Sequence, residues 1–377
     1  MDGRSIRVLH LTSGNMYGGI ESALTSLARL KQLAPNLEQE FAVCFPGRQK
    51  EELTSAGVRV YDVGAIRMSR PWTILAARSR LRMILRQSHP NLAITHGSWI
   101  HGLLGPVIRK CSIPLVTWVH GTLDRSRPLE RIAAWTRPDL VIANSQHTKQ
   151  AAKSVFSQSP IEVFYFPIAS EAVLLDTATR ERQRQQMDVA DGQKVILHAS
   201  RMESGKGHRT LLKALAKLNS REDWICWIAG GPNGNSESEY FSKLQQIASS
   251  LEINKRVKFL GQRSDVASLM SISDVFCQTN ASPDSFGISF IEALYSGLPV
   301  ITSDLGGGAE IVDESCGILT KPNDAASVAK AIEFLLDNTD RRQHLSSNGP
   351  NRADQLCNAQ RQFSKLESIL RHACSIP

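Results

Sequence analysis

Residues 282–300 read SPDSFGISFIEALYSGLPV, and they contain the strongest local signals in the chain. Asp284 and Glu292 lie eight positions apart, and Gly287 lies between them. An apolar run with helical spacing follows this glycine and ends at a Gly-Leu-Pro sequence, which typically stops a helix. We therefore expect a helix that begins around Gly287, with Asp284 or Ser285 as its N-cap residue.

A helix start of this kind can bind an anion, because the N–H groups of the first turn have no partner within the helix. Gly287 would let a ligand approach the backbone closely. A phosphate at the helix start and hydroxyl groups at Asp284 and Glu292 would together fit a sugar nucleotide. The alternative is purely structural: Asp284 caps the helix, and Glu292 is a solvated side chain.

The segments on either side of this stretch are apolar and strand-like. DVFCQT (274–279) precedes it and PVITS (299–303) follows it, and the same alternation of strand and helix extends along almost the whole chain. Continuous apolar strands joined by helices are typical of parallel sheets covered on both faces, so we predict an α/β fold. The other predicted strands cover residues 6–11, 41–45, 58–63, 92–95, 114–119, 140–143, 161–166, 194–199, 224–229, 257–261 and 317–320.

The strand pattern breaks between residues 167 and 193, where the sequence becomes polar, and a new series of strands begins at Lys194. We therefore expect a domain boundary in this segment. In both halves polar or glycine residues follow the apolar runs, and open parallel sheets bind ligands at the carboxyl ends of their strands. This pattern predicts a ligand that is held by both domains.

Composition favours an ordinary globular protein, with 42% hydrophobic and 6% aromatic residues in 377. No apolar run reaches the length of about 18 residues that a membrane-spanning helix needs, and the first residues do not resemble a signal peptide. The seven cysteines are far apart and form no C-x-x-C pair, which is typical of reduced thiols. We expect a cytoplasmic protein.

The positive charge is concentrated in the first half. Residues 1–167 contain 21 Lys and Arg against 11 Asp and Glu, a net charge of +10, and the remaining residues have a net charge of −2. This asymmetry predicts an anionic partner for the first half, such as a phosphate or a lipid surface. A nucleic-acid partner is not expected, because no nucleic-acid-binding motif occurs and aromatic residues are sparse in the basic half.

Two cations follow a predicted strand in HASRMESGKGHRTLLKAL (198–215). Arg201 and Lys206 lie on either side of a short glycine-containing loop and could hold a diphosphate, Arg201 by its planar fork and Lys206 as a point charge. The spacing is not that of a P-loop. The alternative is a solvated loop with two surface cations.

A second glycine-rich turn, TSGNMYGGIESAL (12–24), could bring the backbone at Gly18 and Gly19 close to a phosphate, although an ordinary tight turn explains it equally well. His120 follows a strand in PLVTWVHGT and is either catalytic or structural. In THGSWIHGL, His96 and His101 flank Trp99, and these three side chains either line an acceptor pocket or are structural.

The segment PWTILAARSRLRMILRQ (71–87) predicts an amphipathic helix. Arg78, Arg82 and Arg86 recur at intervals of four, and Trp72 lies at the start. Such a helix could rest on an anionic membrane surface. The alternative is a helix packed on the sheet with a solvated basic face.

Taken in this order, the motifs resemble the family 4 glycosyltransferases of the GT-B architecture over essentially the full chain. The matching segments are YGGIE, WVHGT, VIANS, LHASRMESGKG, WIAGGP, VKFLGQRSDV, PDSFGISFIEALYSGLPVI and SDLGGGAEIV. The resemblance implies two Rossmann-like domains that face each other across a cleft. It implies an acceptor-side domain over residues 1–168, a nucleotide-sugar-binding domain over 169–360, and a final helix over 361–377 that packs back on the first domain.

The resemblance also implies roles for single residues. Asp284 would contact the hydroxyl groups of the donor sugar, and His120 would lie near this sugar at the reaction centre, so both are catalytic candidates. The other implied donor contacts are cations at the diphosphate, a glycine loop and a backbone segment beside the phosphates, a carboxylate at the ribose and two side chains at the base. These residues are Gly18, Gly19, Arg201, Lys206, Gln262, Arg263, Phe286, Gly287, Ile288 and Glu292. The family usually has Glu where this chain has Asp284, so the choice of donor sugar is expected to differ.

The implied reaction is transfer of a sugar from a UDP- or GDP-sugar to an acceptor hydroxyl with retention at the anomeric carbon, in polysaccharide, lipopolysaccharide or glycolipid synthesis. The acceptor would be lipid-linked or a saccharide, and the enzyme would be peripheral on the inner face of the membrane. The chain contains no D-x-D sequence, so no catalytic metal and no cofactor are expected. The alternatives are a nucleotide-sugar epimerase and a non-catalytic sugar-nucleotide-binding protein of the same fold.

Overall fold

The computed structural model describes residues 5–14, 18–168 and 175–375. The chain divides into two compact units: residues 1–168 with 357–377 form unit 1, and residues 169–356 form unit 2. Each unit contains a parallel sheet whose strands alternate with helices along the chain. This arrangement confirms the predicted α/β fold with two Rossmann-like domains.

The described part of unit 1 contains a seven-stranded parallel sheet with the spatial order β3-β2-β1-β4-β5-β6-β7. Its strands are β1 Ile6–Thr12, β2 Leu37–Val43, β3 Arg59–Asp62, β4 Leu92–His96, β5 Leu115–Val119, β6 Leu140–Ala143 and β7 Ile161–Val163. Its first helices are α1 Gly19–Arg29, α2 Arg48–Ser55, α3 Pro71–Ser88, α4 Ser98–Lys110, α5 Pro128–Ala134 and α6 Gln146–Lys153.

Unit 2 contains a six-stranded parallel sheet with the order β10-β9-β8-β11-β12-β13 in its described part. The strands are β8 Lys194–Ala199, β9 Trp224–Ala229, β10 Val257–Gly261, β11 Val275–Gln278, β12 Val300–Ser303 and β13 Gly317–Thr320. The helices are α7 Thr177–Gln186, α8 His208–Ala216, α9 Asn235–Ser250, α10 Val266–Ser271, α11 Ile288–Tyr295, α12 Gly308–Ile311, α13 Ala325–Asp337 and α14 Thr339–Cys357, whose last residue belongs to unit 1.

Both sheets have a topological switch point, where the chain leaves one side of a strand and continues on the other. In unit 1 the switch lies between β1 and β4, and in unit 2 it lies between β8 and β11. In open parallel sheets the usual ligand position is at the carboxyl ends of the strands beside such a switch point. The switch points therefore identify the loops that belong to a site in each unit.

One buried carboxylate ties the strands of the second switch point together. Asp274 lies just before β11, and its side chain accepts hydrogen bonds from the backbone N–H of Val195 in β8 (2.7 Å) and from Arg180 and Arg184 of α7 (3.0 and 2.9 Å). Burial raises the pKa of Asp274, but Arg184, the Val195 N–H and Arg180 outweigh this effect and hold the pKa below its ordinary value. Asp274 is therefore an anion that fixes β8 beside β11.

Strand β7 is shorter than the sequence predicts. It ends at Val163 rather than at residue 166, because its neighbour β6 ends at Ala143, the partner of Val163 in the ladder. The next apolar side chains pack on an aromatic cluster instead: the rings of Phe164 and Phe166 lie 5.2 and 5.1 Å from the ring of Trp118.

The last helix, α15 Ala359–Cys374, belongs to unit 1. Asn36 donates to the carboxylate of Glu367 (3.4 Å), and Gln360 donates to the carbonyl oxygen of Leu33 (3.4 Å). None of the helices in the described part of the chain is long and apolar enough to cross a membrane.

Candidate active site

The loops after β8 and β11 touch each other at the switch point of unit 2. The carbonyl oxygen of Gly205 accepts hydrogen bonds from the N–H groups of Ala281 (2.8 Å) and Ser282 (3.2 Å). Gly207 has a φ of +79°, and a Cβ atom at this position would lie only 1.6 Å from the carbonyl oxygen of Thr279. A side chain here would push the loops apart, so glycine is required for their contact.

This contact places Lys206 against Asp284. The Lys206 Nζ lies 2.6 Å from the Asp284 Oδ2, and the two side chains are only 18% and 19% exposed. The other carboxylate oxygen of Asp284 accepts a hydrogen bond from the Ser285 N–H at 3.1 Å. The structure thus brings together two predicted site residues that are 78 positions apart.

Arg201 lies in the same loop but is more exposed. Its guanidinium is paired with Glu203 at 2.6 Å, and its side chain is 56% exposed. Both predicted diphosphate-binding cations therefore have a carboxylate partner. Exposed ion pairs are weak, so Arg201 can leave Glu203 and bind a phosphate at a small cost in free energy.

Helix α11 begins at Ile288, and Gly287 is its N-cap residue with a φ of +113°. The N-cap residue is Gly287 and not Asp284 or Ser285, so the prediction that one of these two residues is the N-cap is wrong. The physical reason is that Asp284 faces Lys206 and bonds to the N–H of the adjacent Ser285. A glycine N-cap has no side chain of its own that could compete with an anionic ligand at the helix start.

Packing also requires glycine at position 287, because a Cβ atom here would lie 2.3 Å from the Cδ2 of Phe290. Phe286 is buried, whereas Ile288 is half-buried and Glu292 is exposed. Glu292 lies four residues after the first residue of α11, about 6 Å further along the helix.

A glycine triplet supports this loop, and the sequence analysis assigned it no role. Gly306, Gly307 and Gly308 follow β12, and the N–H of Gly307 donates to the carbonyl oxygen of Asp284 at 2.8 Å. A Cβ atom at Gly306 would lie 2.6 Å from this oxygen, and one at Gly307 would lie 2.5 Å from the Cα of Phe286. The signal in the sequence was the run of three glycines that begins three residues after the end of a predicted strand.

Gln262 and Arg263 follow β10, the edge strand of the sheet, and both are exposed. Arg263 donates to both carboxylate oxygens of Asp265 (2.7 and 2.5 Å). The structure places these two residues at the carboxyl edge of the same sheet as Lys206 and Asp284. Their contact with a base stays a prediction.

In unit 1, Gly18 is the N-cap residue of α1, and Gly19 is the first residue of this helix. The Gly18 N–H donates to the carboxylate of Glu21 at 3.1 Å. The preceding part of the predicted turn, residues 15–17, lies outside the described residues. The role of the two glycines at a phosphate stays a prediction.

His120 directly follows β5 and is buried among other rings. Its Nε2 lies 2.8 Å from the Nδ1 of His96, and the Nε2 of His96 lies 3.0 Å from the Nδ1 of His10 in β1. Burial lowers the pKa of His120 to about 3 and that of His10 also to about 3. Both imidazoles are therefore neutral at neutral pH. His10 was not singled out in the sequence; its signal was a polar residue inside an apolar strand.

Neither His96 nor His101 has a ring nitrogen left for a substrate. Both nitrogens of His96 are bonded to other histidines, and His101 lies 2.9 Å from the Thr95 hydroxyl and 2.7 Å from the Thr136 carbonyl oxygen. That these two histidines line an acceptor pocket stays a prediction. Trp99 is half-buried and packs on Phe45, with 6.4 Å between the ring centroids.

The described residues include no group of three or more His, Cys, Asp or Glu side chains placed to hold a metal ion. That the reaction needs no metal ion stays a prediction.

Two family profiles match the chain, one in each half. Residues 17–171 match the family described as Glycosyltransferase Family 4, and residues 179–352 match the family described as Glycosyl transferases group 1. Together they cover nearly all of both units.

Curated relatives share about a quarter of their residues with this chain. D-inositol 3-phosphate glycosyltransferase of Corynebacterium kroppenstedtii is 26% identical over 356 residues, which cover 87% of this chain and 75% of that protein. A GDP-mannose-dependent monoacylated α-(1-6)-phosphatidylinositol monomannoside mannosyltransferase of Corynebacterium glutamicum is 25% identical and covers 88% of each chain.

Solved structures show the same fold. HepE of Anabaena, crystallised in complex with UDP and glucose, superposes with a TM-score of 0.85 over 97% of this chain and 100% of its own, at 24% identity. A likeness at this identity concerns the fold alone. With the two family matches and the geometry of the switch points, it leads to one conclusion: the chain belongs to the family 4 glycosyltransferases and has the GT-B fold.

Proposed function

We propose that unit 2 holds a nucleoside-diphosphate sugar at the β8/β11 switch point and that the enzyme transfers this sugar to an acceptor hydroxyl with retention at the anomeric carbon. The main support for the proposal is the Lys206–Asp284 pair, which lies just before the start of α11, a helix whose N-cap residue is a glycine. A cation, a carboxylate and the first turn of a helix close together suit a ligand with both phosphates and hydroxyl groups.

The diphosphate is the leaving group, and negative charge builds up on it as the bond to the sugar breaks. Lys206, Arg201 and the first N–H groups of α11 are positioned to stabilise this charge. Fixed donors that face a developing charge are usually the largest single contribution to catalysis. In this proposal they supply the stabilisation that a metal ion gives in other transferases, so that no metal and no cofactor take part.

Donor binding changes the partner of Lys206. Without a ligand, Asp284 neutralises the lysine at 2.6 Å. A diphosphate carries more negative charge than one carboxylate and can take over the ammonium group. Asp284 is then able to accept hydrogen bonds from the hydroxyl groups of the donor sugar. Asp is one methylene shorter than Glu, so the sugar lies closer to the loop than a Glu would allow.

The other proposed contacts are those with the ribose, the base and the phosphates of the donor. Glu292, further along α11, binds the ribose, and Gln262 and Arg263 at the end of β10 meet the base. The backbone of Phe286, Gly287 and Ile288 lies beside the phosphates. In unit 1 the proposed contacts are Gly18 and Gly19 for a phosphate and His120 for a sugar.

The donor is a UDP- or GDP-sugar. HepE is described with UDP and glucose, and the mannosyltransferase relative is named as GDP-mannose-dependent, so neither base is favoured for this chain. A thermal-shift screen against UDP- and GDP-sugars tests the donor class. Release of the nucleoside diphosphate with lipid-linked and saccharide acceptors then tests transfer; a changed sugar without an acceptor would indicate an epimerase, and tight binding without turnover a sugar-nucleotide sensor.

The proposed acceptor is lipid-linked or a saccharide, because one face of α3 is suited to an anionic membrane surface. Trp72, Leu75 and Met83 are 64%, 66% and 60% exposed, although they are large and apolar. They fall on one stripe of the helix with the exposed Arg82 and Arg86, opposite its buried side chains. Apolar side chains interleaved with arginines favour contact with anionic lipid.

Arg78 does not belong to this stripe. Its Nε donates to the carbonyl oxygen of Leu103 in α4 at 2.8 Å, so it attaches α3 to the neighbouring helix. The membrane-facing candidates are therefore Arg82 and Arg86.

We predict that Lys206→Ala weakens donor binding by about 10- to 100-fold, because a charge-assisted hydrogen bond contributes about 1.5 to 3 kcal/mol. The dissociation constant is measured by calorimetry with the donor that gives the largest thermal shift. Lys213→Ala is the matched control, since this lysine is exposed on the following helix α8. Equal affinities for the two variants would remove Lys206 from the site.

We predict that Asp284→Asn strengthens binding of the free nucleoside diphosphate about three- to tenfold, because Lys206 is no longer neutralised and a like charge is removed. The same change is expected to weaken the added contribution of the sugar. The measured quantity is the ratio of the dissociation constants of the nucleotide sugar and its nucleoside diphosphate. A fall in affinity for both ligands by the same factor would contradict this account of Asp284.

We predict that the double variant Arg82→Glu/Arg86→Glu binds vesicles of anionic phospholipid at least about tenfold less, since each basic residue near such a surface contributes about 1 kcal/mol. Vesicle co-sedimentation measures the effect, with zwitterionic vesicles for comparison. Arg131→Glu/Lys153→Glu changes the net charge equally on α5 and α6 of the same unit and is the control. An equal loss in both double variants would show that only net charge matters.

A further inference from the structure

Three buried histidines form a row across neighbouring strands of unit 1. The nitrogen–nitrogen distances are 3.0 Å from His10 to His96 and 2.8 Å from His96 to His120. In the sheet register His10 pairs with Ile94 and His96 pairs with Trp118. Each histidine therefore lies two residues further toward the carboxyl edge than the one before, and the row ends at His120, just after β5.

Both ends of the row carry a nitrogen that is buried and has no hydrogen-bond partner among the described residues: the Nε2 of His10 and the Nδ1 of His120. A buried polar atom without a partner costs about 1 to 3 kcal/mol, so its retention calls for an explanation. A ligand that reaches the carboxyl edge at His120 would supply the missing partner.

The rings are held neutral by their surroundings. His10 stacks on Phe41 (4.8 Å between centroids), and His120 stacks on Trp118 (5.6 Å) and Phe166 (5.7 Å). Burial among these rings lowers the pKa of His10 and His120 to about 3, and that of His96 lies well below its ordinary value, mainly through burial. Each ring therefore carries one N–H and one bare nitrogen.

Neutrality couples the three rings. If the Nδ1 of His10 donates to His96, the single proton of His96 must lie on Nδ1 and be donated to His120, whose own proton then also lies on Nδ1. If His120 donates from Nε2, the same logic places all three protons on Nε2. Only these two arrangements satisfy both hydrogen bonds, so the three histidines share one tautomer.

We propose that His10, His96 and His120 act as one tautomer-coupled array, in which His10 and His96 are positioning residues that set whether the Nδ1 of His120 donates to or accepts from a sugar hydroxyl. This inference rests on the proposed function in that His120 meets the sugar. In the all-Nδ1 state His120 presents a donor, and in the all-Nε2 state it presents an acceptor.

Switching between the two states conserves charge. One proton crosses each of the two N···N hydrogen bonds, one leaves the Nδ1 of His120 and one enters the Nε2 of His10. Because both terminal nitrogens are buried, a switch requires that water reach each end to supply and accept the terminal protons, and the array is neutral in both states.

The test is the tautomer of each ring in the ligand-free protein, read from the nitrogen resonances of the protein labelled with ¹⁵N-histidine. The three rings are expected to show the same tautomer. His101 is the internal reference, because its Nε2 faces the carbonyl oxygen of Thr136 and must carry the proton. A different tautomer in any one of the three rings overturns the proposal, whatever the fate of the proposed function.

A variant tests the coupling directly. His96→Phe removes the middle of the array, so the Nδ1 resonance of His120 is expected to shift while that of His101 does not. If His96→Phe fails to fold, His10→Phe takes its place, because a phenyl ring preserves the stack on Phe41. An unchanged His120 resonance overturns the coupling.

Activity tests the positioning role. With the donor found by the thermal-shift screen, His10→Phe is expected to lower kcat about fivefold, the effect of one neutral hydrogen bond, without changing the dissociation constant of the nucleoside diphosphate. A wild-type kcat in His10→Phe overturns the positioning role even where the resonances show the array.

Discussion

The candidate site depends on one backbone contact, the pair of hydrogen bonds by which Ala281 and Ser282 donate to the carbonyl oxygen of Gly205. This contact joins the loop after β8 to the loop after β11. It is possible only because Gly207 has no side chain, since a Cβ atom there would overlap the backbone of the second loop. Asp274 supports it from the opposite ends of the strands by holding β8 beside β11.

Because of this contact, the positive charge of Lys206 and the negative charge of Asp284 balance each other within the site. Two half-buried charges 2.6 Å apart stabilise each other, whereas either one alone would carry a desolvation cost. Lys206 and Asp284 are therefore held in place before a ligand arrives, and the ligand replaces one partner instead of ordering two loose side chains. Pre-organisation of this kind reduces the entropic cost of binding. The glycine triplet Gly306–Gly308 also helps to hold Asp284 in place. Because these residues have no side chains, the loop after β12 can lie directly on the backbone of Asp284 and Phe286.

The fold was predictable from the sequence because most of the strands contain a run of apolar residues, and this pattern is local. The site was predictable in its residues but not in its pairs. Lys206 meets Asp284 only because β8 and β11 are neighbours, and this order is a property of the whole sheet. The row from His10 to His120 likewise requires that β1, β4 and β5 be neighbours in this order. The sequence alone does not reveal this order, so it could not show that His96 contacts two other histidines. The prediction of Asp284 or Ser285 as the N-cap of α11 is wrong because the positive φ of Gly287 and the ion pair of Asp284 with Lys206 both depend on tertiary contacts.

In the proposed site a diphosphate takes over Lys206 at the β8/β11 switch point. This exchange can be observed in a crystal structure with the nucleoside diphosphate of the accepted donor. We expect diphosphate oxygens within hydrogen-bond distance of the Lys206 ammonium and of the first N–H groups of α11. A diphosphate bound elsewhere, with Lys206 still paired to Asp284, would contradict this expectation.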